Sequence, residues 1–368
     1  MRGIFIFLLS NLMLFIAPLK GQTLITKDAM NSFAKYSSSK NFKDLENARK
    51  LSDDAYKTRS DSSAFKNNLI RGLVYSSLAR VDSNLKLKYT KDPVLETLLS
   101  LNQVSLSKFA PDVEEEIKFI NGQLKQTYLF RANTSFKERR FSDALTYYNL
   151  LDSIDPTNIA ITHNLALLYQ ELGNYEQSII YFHKLLAEKP KPEYYLALSS
   201  LYESIGDENS SLNILRNGSG AYPDNRDLIF KLINSLVNRN DYVEIAKFID
   251  HALKLDEFNI NLNYLGGFSN EMKGDTIKAE RYYKAVLDIN PNNFEGNYAL
   301  GLLYLNLYLR DRNQSKMMYI SKYYLSKANE IDPNELKSLA SLSILYKHTG
   351  DTDELEKINN RINQLKLN

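Results

Sequence analysis

The feature that most constrains this chain is a repeat of about 34 residues that runs through its second half. Prolines, with one glutamate in their place, recur at steps of 34, 33, 34, 34 and 42 residues, and a turn position keeps the same register between them. A fixed period of this length indicates a solenoid, in which one small helical unit stacks on the next. The two series are Pro156, Pro190, Pro223, Glu257, Pro291 and Pro333, and Arg139, Gly173, Gly206, Asn240 and Gly274.

The stretch from Ile159 to Pro190 shows what one repeat contains. Apolar residues spaced three or four apart predict a first helix that ends near Gly173. Glycine is suited to that position because it adopts the left-handed conformation at no steric cost. A second helix is predicted from Tyr175 to Pro190, since proline cannot continue a helix. Each repeat is therefore expected to be a hairpin of two antiparallel helices.

These residues resemble the tetratricopeptide repeat family, whose pattern runs W-x2-L-G-x2-Y, then A-x3-F, then P. The resemblance covers residues 125–368 well and residues 26–124 loosely, and it departs from the pattern in having no tryptophan and in placing Gly266 at a leucine position. It implies an all-α fold, a right-handed α-solenoid of antiparallel helix pairs. The matching residues are Leu300, Gly301 and Tyr304; Leu165, Ala166 and Tyr169; Leu198, Ser199 and Tyr202; Ala144 and Tyr148; Ala279 and Tyr283; and Ala328 before Pro333.

Four segments are predicted along the chain. Residues 1–21 form a signal peptide, residues 22–111 form irregular helical hairpins, residues 112–335 form the regular array, and residues 336–368 form a capping repeat. One hairpin near residues 304–324 contains eight extra residues, which we expect to lengthen each of its helices by about one turn. Insertions in repeat proteins often lie on the binding side, although a solvated extension is the simpler interpretation.

The first 22 residues are typical of an export signal. Arg2 precedes an apolar run from Ile4 to Leu19, and a small residue, Gly21, stands before Gln22. The alternative is an uncleaved membrane anchor, but the run is shorter than the roughly 20 residues of a membrane span. We therefore expect export to the periplasm or attachment to the envelope, with no integral span after the signal is removed.

Charge and cysteine content narrow the function further. Loss of residues 1–21 removes two basic residues and takes the net charge from +2 to zero. A neutral balance argues against a nucleic-acid surface. The chain contains no cysteine, which excludes disulfides, thiolate metal sites and a lipid-modified cysteine.

Three local patterns give further expectations. Residues 217–220 (Asn-Gly-Ser-Gly) are expected to end a second helix early and leave a soft joint before Pro223. Residues 37–40 (Ser-Ser-Ser-Lys) are expected to separate the first two helices. A polar linker is predicted over residues 81–92, and a long helix over residues 112–138.

No motif for catalysis, nucleotide binding or metal ligation occurs in the sequence. The four histidines are far apart, and none pairs with another at metal-ligand spacing. We therefore expect no catalytic residue, no cofactor, no metal and no enzymatic activity.

The family resemblance implies that the first helix of each pair lines a concave groove. Asparagines there could hydrogen-bond an extended peptide, and an aromatic patch of Tyr264, Phe268 and Tyr298 could anchor it. The alternative is that some of these side chains only pack between neighbouring repeats. The predicted partner-binding residues are Asn133, Lys137, His163, Gln170, Ser200, Glu203, Lys231, Asn234, Asn238, Tyr264, Phe268 and Tyr298.

The predicted function is a scaffold for protein–protein interaction in the cell envelope, with a peptide or partner protein in the groove. Two alternatives stand beside it. One is a module that binds envelope glycan by stacking sugars on the tyrosine-rich groove. The other is a non-catalytic subunit of a larger envelope complex.

Overall fold

A computed structural model describes residues 24–82 and 89–367. In these ranges the chain is helical, without a β-strand, and its helices pack in consecutive pairs. The predicted fold class, an all-α array of antiparallel helix pairs, is confirmed. The helices are α1 (Leu24–Ser39), α2 (Phe42–Asp54), α3 (Arg59–Ser63), α4 (Phe65–Val81), α5 (Pro93–Ser105), α6 (Glu114–Lys137), α7 (Phe141–Ile154), α8 (Ile159–Glu171), α9 (Tyr175–Glu188), α10 (Pro192–Ser204), α11 (Glu208–Ala221), α12 (Arg226–Asn238), α13 (Tyr242–Leu255), α14 (Ile260–Lys273), α15 (Thr276–Ile289), α16 (Phe294–Arg310), α17 (Ser315–Ile331), α18 (Leu336–Thr349) and α19 (Thr352–Leu367).

Two of the sequence-based predictions fall wholly or partly on other residues. The predicted signal peptide, residues 1–21, lies outside the described ranges. Half of the predicted polar linker over residues 81–92, namely residues 83–88, lies outside them as well. Over the ranges that are described, no helix is both long and apolar enough to cross a bilayer.

The predicted turn positions are confirmed by their backbone conformation. Gly173, Gly206 and Gly274 have φ values of 73°, 77° and 86°, and the non-glycine residues Arg139 and Asn240 have φ values of 58° and 55°. A left-handed residue at this point lets the next backbone N–H bond back to the helix just ended. The register read from the sequence is therefore the register of the hairpins.

Helix caps repeat with the same period. The N-cap residues of three first helices are asparagines. Each side chain accepts a hydrogen bond, of 2.7 to 3.0 Å, from the backbone N–H three residues later; the asparagines are Asn225, Asn259 and Asn293. The N-cap residues of three second helices are aspartates, and their carboxylates accept the equivalent hydrogen bond at 3.0 to 3.1 Å; they are Asp207, Asp241 and Asp275. Each cap satisfies an orphan helix donor and stabilises its helix by about 1 kcal/mol.

The chain divides into two compact units that meet in sequence at Glu188 and Lys189. In the first unit, α4 is buried on nearly all sides, by α1, α2, α5 and α6. Gly72 on α4 makes this possible, because an added Cβ would lie 2.9 Å from the Ile120 Cδ1 atom of α6. A short 3-10 turn, Ala110–Val113, precedes the long helix α6 that the sequence predicted over residues 112–138.

In the second unit the pairs are α10 with α11, α12 with α13, α14 with α15, α16 with α17, and α18 with α19. The apolar core is a series of local clusters. One cluster surrounds Leu232, the next surrounds Leu300, and a third surrounds Leu342. This arrangement is expected of a repeat protein, whose core grows one hairpin at a time.

The hairpin of α16 and α17 is longer than its neighbours. Each of its helices has 17 residues, whereas α12 to α15 have 13 or 14. The two long helices approach closely at Gly301, where an added Cβ would lie 2.7 Å from the side chain of Leu325. The Ser321 hydroxyl donates to the Gly301 carbonyl at 2.9 Å. The extra residues therefore extend a tightly packed pair.

Two local expectations are wrong. Helix α11 continues through residues 217–220 to Ala221, because Gly218 is buried against Tyr195 and its lack of a side chain serves close packing. Helix α1 likewise includes the serines at 37–39. The hydroxyls of Ser37 and Ser38 bond back to carbonyls of their own helix, and only Lys40 and Asn41 form the turn.

Candidate functional site

Each first helix of the second unit has a solvent-facing side, and we call these sides together the first-helix face. It comprises the exposed and half-exposed residues of α10, α12, α14, α16 and α18. Helix α10 lies beside α12, and α16 lies beside α18. The opposite side of each helix carries leucine or isoleucine into the core, so the exposed positions recur at helical spacing.

Three predicted binding residues meet on this face between α10 and α12. The Lys231 ammonium donates to the Ser200 hydroxyl at 2.6 Å and lies 3.4 Å from the Glu203 carboxylate. Glu203 also accepts a hydrogen bond from Ser211 at 3.1 Å. These side chains join neighbouring repeats and are partly committed to one another. The amides of Asn234 and Asn238, further along α12, are exposed to solvent.

The predicted aromatic patch is half-buried. Burial raises the pKa of Tyr264, and the nearby carboxylates of Glu295 and Glu271 and the Tyr298 hydroxyl raise it further. Tyr264 and Tyr298 are therefore close enough to interact electrostatically. The Phe268 ring packs edge-on against Tyr242 of α13, with centroids 4.7 Å apart. Part of the patch thus also serves packing between repeats, which was the alternative stated above.

Two acidic residues of this neighbourhood were missed in the sequence. Glu271 is half-buried, and burial raises the pKa of its carboxyl group. The hydrogen bond from the Tyr283 hydroxyl, at 3.0 Å, and the charge of Arg310 both lower this pKa, but burial outweighs them. Glu295 is exposed on the first turn of α16. Both occupy repeat positions that face the groove in the tetratricopeptide repeat family, which the sequence resembles. Counting positions along each repeat would therefore have identified them.

In the first unit the corresponding residues lie on α6 and α8. The Asn133 side chain accepts a hydrogen bond from Tyr148 at 2.7 Å, and Asn164 donates to the same tyrosine at 3.0 Å. Lys137 and Gln170 are exposed, and His163 is half-buried. Two exposed apolar residues that the prediction omitted lie on the same side of α6 as Asn133. They are Leu129 and Phe130, which are 41% and 53% exposed.

A separate charged cluster in the first unit was not expected. The Arg71 side chain is 1% exposed, and it bonds to Asp53 at 2.7 Å and to Glu96 at 2.5 Å. Its guanidinium lies between the rings of Tyr56 and Tyr75, 4.4 and 4.5 Å from their centroids. Since the charges are paired inside the fold, the cluster locks α2, α4 and α5 together.

Within residues 24–82 and 89–367, no group of three or more His, Asp or Glu side chains lies close enough to hold a metal ion. What the first-helix face offers is hydrogen-bonding amides, half-exposed aromatic rings and carboxylates. Such a surface is suited to recognition.

Taken together, hairpins that keep one period, left-handed turn residues and capped helices define an all-α helical-repeat protein. The tetratricopeptide repeat family model matches residues 135–201, from the end of α6 into α10. This match supports the resemblance over that part of the chain. A curated relative is a TPR repeat-containing protein of Methanocaldococcus jannaschii, which is 18% identical over 234 residues. The alignment takes 60% of this chain and 39% of that protein, so the chain spans about two fifths of the relative's length.

Solved structures with a similar fold include MamA and YrrB. MamA is 18% identical, with a TM-score of 0.36, and the alignment covers 46% of this chain and 94% of MamA. A double mutant of MamA from RS-1 gives a TM-score of 0.40 at 18% identity, over 48% of this chain and 94% of that one. YrrB, described as a TPR protein with an unusual peptide-binding site, is 17% identical, with a TM-score of 0.36 over 52% of this chain and 97% of YrrB. Each aligns with about half of the present chain.

Proposed function

We propose that this protein is a non-catalytic scaffold that binds an extended peptide segment of a partner protein along its first-helix face. The observation that carries the proposal is the group formed by Tyr264, Tyr298, Glu271 and Glu295 on α14 and α16, together with the exposed amides on α12. A few residues supply most of the binding energy in protein interfaces, and tyrosine is enriched among them. Carboxylates beside the two tyrosines favour a peptide that carries a lysine or arginine near its anchor residue.

The helical-repeat fold supports this proposal. A stack of hairpins offers an extended surface on which neighbouring repeats each contribute a few contacts. The exposed amides of Asn234 and Asn238 can both donate and accept, as the backbone of an extended peptide requires. Binding then needs no chemical step from the protein.

We also propose that the scaffold acts outside the cytoplasm, in the periplasm or at the envelope. The support is the sequence of residues 1–21, with its apolar run after Arg2. N-terminal sequencing of the protein from its native cells should find Gln22 or a neighbour as the first residue. Recovery of the chain with Met1 intact from the cytoplasmic fraction would contradict the proposal.

The peptide proposal is tested by selecting peptides from a random display library with immobilised protein, residues 22–368. Selected sequences should share an aromatic or aliphatic anchor next to a basic residue. Their affinity, measured by fluorescence anisotropy, should fall at least about tenfold in Tyr264→Ala/Tyr298→Ala, which corresponds to about 1.4 kcal/mol. A smaller loss is expected in Asn234→Ala/Asn238→Ala, whose side chains are exposed, so that folding is not at issue.

The matched control removes two tyrosines from another surface of the same unit, in Tyr319→Ala/Tyr323→Ala. This variant should bind the selected peptides as the unmodified protein does. Equal affinity of all three variants would show that the peptides bind elsewhere. If no peptide is enriched, recognition of an extended peptide by this face is wrong.

A further inference from the structure

Two tyrosines on the outer side of α17 are hardly used by the fold. Tyr319 and Tyr323 are each 66% exposed. Four residues apart on one helix, they lie on the same side and one turn apart. The inner side of α17 packs into the core through Met317, Ile320 and Tyr324. The two rings therefore form an aromatic strip that faces water.

One of the two rings, that of Tyr323, rests on packed aromatic side chains. The Tyr323 ring meets Tyr324 edge-on at 5.0 Å, and Tyr324 stacks on Tyr304 at 6.4 Å with their planes 8° apart. Tyr304 is itself buried, 6% exposed. The close contact of Gly301 with α17 fixes the helix below them. Because the Tyr323 ring already rests on packed neighbours, it loses less side-chain entropy than a free ring would when a ligand stacks on it.

Lysines flank the two rings. Lys316 precedes Tyr319 by three residues and Lys327 follows Tyr323 by four, so both lie on the same side of the helix as the rings. Helix α17 carries three lysines and one acidic residue, whereas the whole chain is nearly balanced, with 46 basic and 44 acidic residues. The strip therefore combines aromatic faces with a local positive charge.

The nearby acidic groups do not cancel this charge. Glu330 lies 3.4 Å from Lys327 in an exposed pair, which is a weak interaction in water. Glu280 lies near Lys316, but its carboxylate is already bonded to Lys284 and Tyr304. Charge complementarity therefore calls for a ligand that carries negative charge and also presents flat apolar faces.

We propose that Lys316, Tyr319, Tyr323 and Lys327 form a docking strip for an acidic polysaccharide. The apolar faces of its sugar rings stack on the two tyrosines, and its carboxylates pair with the two lysines. An extended peptide fits less well, because the strip carries no side-chain amide that could both donate to and accept from a peptide backbone, as Asn234 and Asn238 can on the first-helix face. A nucleic acid fits less well because the chain lacks the strongly basic balance of such binders. The strip is outside the first-helix face, so the inference does not rest on the proposed peptide binding.

The test is affinity electrophoresis of the protein, residues 22–368, in native gels that contain polygalacturonate. The protein should be retarded in these gels and not in gels that contain neutral dextran. Tyr319→Ala/Tyr323→Ala and Lys316→Gln/Lys327→Gln should each weaken the retardation at least about fivefold. Because all four residues are at the surface, circular dichroism should show unchanged folding. The control Tyr264→Ala/Tyr298→Ala should be retarded as the unmodified protein is.

Three outcomes would overturn the inference. One is migration of the unmodified protein that polygalacturonate does not alter. Another is retardation that is equal in the strip variants and the unmodified protein. The third is equal or tighter binding of polyglutamate or of a single-stranded oligonucleotide, which would assign the strip to another class of ligand. Loss of peptide binding in the Tyr264→Ala/Tyr298→Ala control bears only on the first-helix face.

Discussion

At the scale of single residues, Gly218 sets how closely α11 approaches α10 and α12. A Cβ added at this position would lie 2.9 Å from Cβ and Cγ of Tyr195 and 3.1 Å from a methyl carbon of Leu228. Both neighbours belong to the packed interior of the second unit. The glycine therefore costs some helix propensity, and in return α11 packs tightly against its partner helix α10 and against α12 of the next hairpin.

Gly218→Ala is predicted to destabilise the protein by about 1 to 3 kcal/mol, because the added methyl overpacks this contact. Gly220 provides the control two residues away. It lies in the same helix, and an added Cβ there meets nothing within 4 Å. Gly220→Ala should leave stability unchanged or raise it by about 0.5 to 1 kcal/mol. Urea unfolding followed by circular dichroism measures both, and equal effects of the two substitutions would refute the packing role of Gly218.

Gly218 also shows where sequence reasoning fails for a single residue. Two glycines and an asparagine in four residues predict a break when only local preferences are considered. The reason for Gly218 is a tyrosine 23 positions earlier, on the partner helix α10 of the same hairpin, and no local pattern indicates that contact. The turn residues were predictable for the opposite reason, because a left-handed position is a local requirement that recurs with the period.

At the scale of elements, the Arg71 cluster ties helices together that have no periodic relation. The Asp53 carboxylate of α2 receives Arg71 of α4, the Tyr75 hydroxyl at 2.8 Å and the Lys91 ammonium at 3.1 Å. Burial by itself would raise the pKa of Asp53, but the hydrogen bonds from Arg71 and Tyr75 and the charge of Arg71 outweigh it and hold that pKa below its usual value. The folded state thus favours the ionised carboxylate.

Asp53→Asn is predicted to destabilise the protein by about 3 kcal/mol at neutral pH, because it leaves part of a buried charge uncompensated. In the unmodified protein this stabilisation is present above the usual aspartate pKa, near 3.8, and is lost as the pH falls through the lower pKa of the folded state. The gap in stability between the two proteins should therefore narrow as the solution is acidified below about pH 4. Urea unfolding at a series of pH values measures the gap.

The neighbouring residue supplies the control for that experiment. Asp54 pairs with Lys57 at 2.8 Å, but both side chains are more than half exposed. Asp54→Asn should cost less than about 0.5 kcal/mol, as exposed ion pairs do. If the difference in unfolding free energy between the unmodified protein and Asp53→Asn stays constant down to pH 2, the Asp53 carboxyl group has no lowered pKa in the folded protein.

The bounds of helices were predictable from the sequence only where two markers of the repeat, a turn residue and a proline, were both present. In residues 159–190 a turn glycine and a proline together fixed both helices, and the observed bounds agree with them. The Arg71 cluster joins residues 53, 71 and 96, whose spacing matches no repeat, and nothing in the local sequence distinguishes this arginine from a surface one. The residues of the first-helix face were predicted from the same period as the hairpins. Whether its aromatic rings pack or protrude depends on neighbours such as Tyr242, which the period does not specify.

At the scale of the whole molecule, the core of the second unit consists of clusters that each involve only neighbouring hairpins. A repeat protein of this kind is stabilised by interactions within each repeat and with the next one. A substitution that destabilises one cluster should therefore unfold only the nearby helices, unless the stability lost exceeds the stabilisation that the interfaces with adjacent repeats provide.

Leu300→Ala tests this expectation. Leu300 is fully buried among residues of α15, α16 and α17, and its truncation should cost about 2 to 5 kcal/mol. In hydrogen exchange followed by mass spectrometry, protection should fall in α15, α16 and α17 and persist in α12, whose cluster surrounds Leu232. If protection falls by the same amount throughout residues 189–367, the unit opens as a single cooperative body and stability does not propagate repeat by repeat. A fall confined to the three helices around Leu300 would mean that a ligand bound on one stretch of the first-helix face stabilises that stretch without ordering the others.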